Sequence, residues 1–138
     1  MTALKLRIVL YVACVAALTI LANVYFRITA YNDMVLQFNN AREFCLYATG
    51  PRNVSDLPYG EPGPSPQARY FHDRATGSDL DWLYFSGYSG KEMPPKILLA
   101  SPRMVGDHKR IMFLTDGSGE VIDEDDFVMR LSVQLNGK

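Results

Sequence analysis

The chain has 138 residues with 14 basic and 15 acidic side chains, a formal net charge of −1 at pH 7. So even a balance gives no electrostatic reason to bind DNA or RNA, and nucleic acid is not expected as a partner. The length allows one small domain beside an apolar N-terminal segment, and Cys14 and Cys45 are too few for a disulfide framework.

Residues 1–7 form a short N-terminus that carries Lys5 and Arg7. From Ile8 to Phe26 the sequence IVLYVACVAALTILANVYF contains no charge, no Gly and no Pro. As a helix it spans roughly 28 Å, close to the ~30 Å hydrocarbon thickness of a bilayer, so residues 8–26 are predicted to form a transmembrane helix. A buried helix of a soluble protein would need apolar cover on every side, which a domain this small could hardly supply. Thr19 and Asn23 interrupt the run and are candidates for hydrogen bonding to neighbouring helices in the membrane. The basic flank favours a cytoplasmic N-terminus, with Tyr25 and Phe26 at the far interface. A cleaved signal peptide shares this plan, but the run is longer than a usual signal core. Asn23, Val24, Tyr25 and Phe26 are also poor cleavage neighbours, so an uncleaved anchor is favoured.

Residues 27–48 read as an amphipathic helical stalk. Apolar side chains recur at Ile28, Tyr31, Val35, Phe38 and Cys45, with Arg42 in the one slot that breaks the pattern. Tyr31, Val35 and Phe38 are expected to pack on the protein's own sheet, and pairing with another subunit is the alternative. Gly50 and Pro51 supply a stop. Residues 49–79 are read as a Pro/Gly-rich loop region, with five prolines and three glycines between Thr49 and Ala68. Asn53-Val54-Ser55 matches the glycosylation acceptor pattern, which recurs by chance.

Residues 80–138 hold the sheet and a last helix. Leu80–Phe85, Lys96–Ala100, Arg110–Thr115 and Glu120–Ile122 are apolar or aromatic runs separated by turn residues and read as four strands. Asp116-Gly117-Ser118-Gly119 has the chemistry of a hairpin turn, so the last two strands should pair antiparallel. Asp123 is expected to cap a helix through Leu135. Glu124, Asp125 and Asp126 would complement its dipole, and Phe127, Val128, Leu131 and Leu135 would form its apolar face. The fold class is α+β: a long N-terminal helix on a small antiparallel sheet, closed by a short C-terminal helix.

The stretch DWLYFSGYSGKEMPPKILLASPRMVGDHKRIMFLTDGSGEVIDEDDF, residues 81–127, resembles the C-terminal region of bacterial pilin-like and pseudopilin-like proteins that carry a His-to-Asp-Gly signature. A membrane helix running into a helical stalk is similar to their plan as well. The resemblance implies a pilin-like domain in the bacterial envelope and maps the signature onto His108, Asp116 and Gly117. Residues 1–26 contain no glycine and no acid, so it does not extend to the prepilin processing site.

No catalytic constellation, cofactor motif or metal-ligand spacing emerges. Gly87-Tyr88-Ser89-Gly90 is one residue short of a nucleophile elbow. The turn at Asp116 superficially suits calcium, yet Phe127 occupies the twelfth position, where a bidentate acid is needed. His72 and His108 have no second ligand at a recognised spacing. The expectation is a non-catalytic, single-pass protein of the bacterial inner membrane, its domain outside the cytoplasm and its partners the lipid bilayer and other envelope proteins or itself. A small accessory subunit of a larger membrane complex is the alternative, and an enzyme of unrecognised type using His108 and Asp116 comes third.

Overall fold

A computed structural model describes residues 2–47, 64–85 and 87–137. The element order is helix α1 (Ala3–Tyr47), strands β1 (Phe71–Asp73), β2 (Ser78–Leu80), β3 (Leu83–Tyr84), β4 (Ile97–Ala100), β5 (Lys109–Leu114) and β6 (Gly119–Asp123), then helix α2 (Glu124–Asn136). The chain divides into two compact units, Met1–Asn32 and Asp33–Lys138. The fold is α+β, with two small antiparallel sheets where one was expected.

The first unit is helical. Its apolar stretch has a mean hydropathy of 2.2 and is exposed along its length, long and apolar enough to cross a membrane. Asn23 makes no side-chain hydrogen bond among the described residues. Thr19, by contrast, donates its hydroxyl to Val15 O at 2.9 Å, one turn back on its own helix. Thr19 therefore needs no outside partner, whereas the Asn23 amide has none within its helix.

The second unit has three layers. A four-stranded sheet in the order β3-β4-β5-β6 carries the α1 segment from Asp33 onward on one face and α2 on the other. Ala41 and Phe44, both fully buried, join Phe71, Trp82, Leu99, Ile111 and Phe113 in the larger core. Ile97, Ala100, Met112 and Phe127 form the smaller one beneath α2. Because both faces of the sheet are covered, β4 and β5 read as continuous apolar runs rather than alternating ones. Side chains on β5 obey the two-residue period, Ile111 and Phe113 facing one core and Met112 the other. On β4 a register shift between Ile97 and Leu99 turns Ile97 and Ala100 to the same face.

Several sequence expectations require correction. Leu80–Phe85 is not one strand: Leu80 ends β2, Leu83–Tyr84 form β3, and the two belong to different sheets. The region read as a loop from 49 to 79 contains β1 and most of β2. That hairpin is closed by Asp73, whose carboxylate accepts from Ala75 N–H at 3.1 Å and Thr76 Oγ1 at 2.7 Å. Gly77 takes the positive φ of 69° that the turn demands. A three-residue strand inside a Pro/Gly-rich stretch has too little periodicity to be read. Asp123 flanks α2 with extended backbone but makes no side-chain cap, because its carboxylate accepts from Lys109 Nζ at 2.6 Å instead. Val128 and Leu135 are exposed on α2, while Gln134 is buried. The expected helix stop at Gly50 and Pro51, and Asn53, lie outside the described residues.

Of the three stripe residues expected on the sheet, Phe38 packs there, and Cys45 further along the stripe joins it against the larger core. The Phe38 ring lies 5.1 Å from that of Phe113. Tyr31, 62 % exposed, belongs to the first unit, and Val35, in the second, is 39 % exposed, so neither is buried against the sheet. The buried face of α1 in the second unit is Gln37, Ala41 and Phe44, with Met34, Phe38 and Cys45 partly buried beside it. A helix period fits both stripes, and the polar Gln37 concealed the true one.

Candidate functional site

The residues singled out by the signature do not meet. His108 immediately precedes β5 and Asp116 follows it, so the six-residue strand holds them roughly 20 Å apart. His108 is solvent-exposed with φ 51°, and its backbone carbonyl accepts the N–H of Glu124 at the start of α2. Asp116 accepts from Ser118 N–H at 2.9 Å and from Ser118 Oγ at 2.6 Å. Those Ser118 bonds hold its carboxyl below the usual carboxylate range. Gly117 has φ 85°, as the hairpin turn requires. All three are therefore parts of turns.

Ser89 stands in a local turn. Its hydroxyl lies 3.0 Å from Glu92 Oε1, and Gly90 N–H reaches Glu92 Oε2 at 2.9 Å, so the carboxylate closes a local turn. Among the described residues no group of three His, Cys, Asp or Glu side chains could hold a metal ion. Cys45 packs against the larger core, and burial pushes its thiol up to about 12.

Two concave features of the second unit are formed by described residues. The first is an apolar cleft of about 340 Å³ beside α2, walled by Pro94, Pro95 and Ile97 on one side and by Met129 and Val133 on the other. At its floor Gln134 donates Nε2 to Ile97 O at 3.0 Å and accepts from Ile97 N–H at 2.6 Å. The floor therefore offers a ligand no unused amide, and the cleft suits apolar side chains. Met93, next to it in sequence, is 90 % exposed, and Val128 and Leu135 also face solvent on α2. This apolar surface was invisible in the sequence, because Val128 and Leu135 carry the same helical spacing as core positions.

The second feature is a recess of about 370 Å³ bordered by α1, the segment at Pro66–Tyr70 and the β1–β2 hairpin. His72 and Asp79, opposite each other across the hairpin, approach to 3.0 Å between Nδ1 and Oδ1. Gln37 donates Nε2 to His72 O at 2.8 Å. Sequence spacing pointed to neither residue.

Compared with protein-family models, curated proteins and solved structures, the chain matches none of them.

Thr19, Asn23 and Arg27 lie along one shallow groove of the helix in the first unit. They recur every fourth residue and so share a face. Within that groove neither Asn23 nor Arg27 makes a side-chain hydrogen bond among the described residues.

Proposed function

We propose that the protein is a non-catalytic, single-pass membrane protein of the bacterial envelope, whose α+β domain follows the pilin-like plan and binds another protein outside the cytoplasm. The observation that carries the reading is the pairing of an exposed N-terminal helix, uncharged over residues 8–26, with an apolar cleft beside α2. The helix explains attachment, because burial in hydrocarbon stabilises such a surface. The cleft with its exposed Met129 and Val133, and Met93 adjacent to it in sequence, explain recognition, since apolar patches of this kind mark protein interaction sites. The basic flank at Lys5 and Arg7 supports a cytoplasmic N-terminus.

Asn23 favours a second reading, a small accessory subunit of a larger membrane complex. An amide without a partner in its own helix is stabilised in lipid by a hydrogen bond to a neighbouring helix.

The membrane part is tested by washing membranes with carbonate and with high salt. The full-length protein is expected to stay in the pellet, since neither treatment weakens hydrophobic burial. Release at reduced mass would establish a cleaved signal peptide instead. For recognition, a photocrosslinker placed at Val133 should capture a discrete protein band in native membranes, while the same group at Asp107 should not. Equal labelling at both positions would remove the cleft as the interaction site.

A further inference from the structure

We propose that the helix of the first unit docks against a second copy of itself, in a parallel pair held by the Asn23 amides of the two chains. The inference rests on the membrane reading and names the neighbouring helix that the amide requires.

Asn23 lies inside the uncharged run 8–26, four residues before Arg27 and so roughly 6 Å deeper along the helix axis. It is exposed on the helix surface and makes no side-chain hydrogen bond among the described residues. In hydrocarbon its N–H donors and its carbonyl acceptor are without partners, which costs free energy until another polar group meets them. Thr19, one turn further in, donates to Val15 O and has no such need. Arg27 stands at the edge of the run, where its long stem carries the guanidinium to the headgroups. The demand for a partner within the bilayer is therefore concentrated at Asn23.

Two features make a second copy the occupant. A single-pass chain inserts in one orientation, so Asn23 lies at the same depth in every copy. A twofold axis along the membrane normal sets the two amides opposite each other, and each can donate to and accept from the other. Any different helix would have to bring a polar group of its own to that depth. The second feature is spacing: Val9, Val12, Ala16, Thr19, Asn23 and Phe26 follow one another in steps of three and four residues, the pattern of a parallel two-helix seam. In such a seam a single Asn among apolar neighbours fixes register and oligomeric state. Leu10, Cys14 and Leu21 fall on the opposite face, toward lipid. A lipid headgroup matches the amide less well, because the short Asn23 side chain ends about a helical turn below the level that Arg27 reaches.

The test uses purified full-length protein reconstituted in phosphatidylcholine vesicles, with flotation on a density gradient to isolate what has inserted. The parent chain already carries Cys14 on the opposite face, exposed and two residues from Ala16, while Cys45 is packed against the core. Oxidation with copper phenanthroline should leave the floated parent monomeric, and should link the Cys14→Ala, Ala16→Cys protein into a disulfide dimer. Asn23→Val in that seam variant should slow linkage about threefold or more, and Asn23→Gln, which keeps the amide, should restore most of the rate. Asn23→Ala replaces Asn23→Val if the latter does not float. The pairing is overturned if the floated seam variant stays monomeric, if the parent links equally well through Cys14, or if loss of the Asn23 amide leaves the rate unchanged. Protein that does not float at all would instead sink the membrane reading, and the pairing with it.

Discussion

The side-chain amide of Gln134 hydrogen-bonds both the N–H and the C=O of Ile97, at 2.6 and 3.0 Å. Ile97 stands next to the register shift of β4, where a strand loses part of its regular ladder. The amide takes the place of a missing neighbouring strand and fastens α2 to the sheet. Gln134→Leu keeps the bulk but leaves two buried backbone groups without partners, at a cost of about 2–4 kcal/mol. The melting temperature of the full-length protein should then fall by about 10 °C or more. A melt within a degree or two of the parent would mean that solvent reaches Ile97 and that the clasp is dispensable.

Phe38 and Tyr31 lie on one helical stripe, yet only Phe38 meets an aromatic partner in the core. Phe38→Ala should cost about 2–3 kcal/mol, below the value for a fully buried ring, and Tyr31→Ala less than about 0.5 kcal/mol. Gly119 completes this contact: a Cβ there would lie 2.6 Å from the Phe113 ring and 2.7 Å from that of Phe38. Gly119→Ala is expected to destabilise by about 1–3 kcal/mol. Combining it with Phe38→Ala should cost less than the sum, because one of the two clashing rings is gone. Strict additivity in denaturant melts would argue against the shared contact.

Cys45 is packed against the core with its thiol pushed up to about 12, so it should resist maleimide at neutral pH. Denaturant should expose it, with at least a hundredfold faster modification. Rapid labelling under native conditions would show that the C-terminal turns of α1 are not packed as described. For the same reason Cys45 cannot report membrane topology. Thr2→Cys and Ser132→Cys, each in a background lacking the native cysteines, place an exposed thiol in one unit or the other. In cells whose outer barrier is permeable to it, an impermeant maleimide should label the Ser132→Cys protein and spare the Thr2→Cys protein. The opposite pattern would reverse the orientation.

Asp73 is held below the usual carboxylate range, first by the hydrogen bond from Thr76, then by Ala75 N–H and by Arg103 at 3.2 Å. A folded-state pKa lower than the unfolded one contributes stability above the unfolded value, and that contribution is lost as pH falls through the folded one. Thermal melts should therefore decline with acidification below about pH 4. Asp73→Asn should lower stability at pH 7 and flatten that decline. A variant with an unaltered acid limb would place the sensitive carboxylate elsewhere.

The apolar helix, the strands at β4 to β6, the Asp116–Gly119 hairpin and a C-terminal helix were all legible, since each has local chemistry strong enough to reveal itself. Nineteen uncharged residues, a positive-φ Gly and a doubly covered strand leave patterns within a few residues of themselves. The β1–β2 hairpin escaped notice because its closure depends on the Asp73 carboxylate and three-residue strands. Which face of α1 would be buried was equally hidden, because each stripe carries one polar interruption, Gln37 in one and Arg42 in the other.

By itself, then, the sequence determined the α+β class and a helix apolar enough for a bilayer, because backbone propensity and hydrophobic length act locally. Tertiary structure alone decided that His108 and Asp116 stand at opposite ends of β5, that Gln134 is spent on Ile97, and that Gln37 is buried and donates to His72 O. Those relationships join residues far apart in the chain, and the selection among competing faces is made by packing, which no local pattern records.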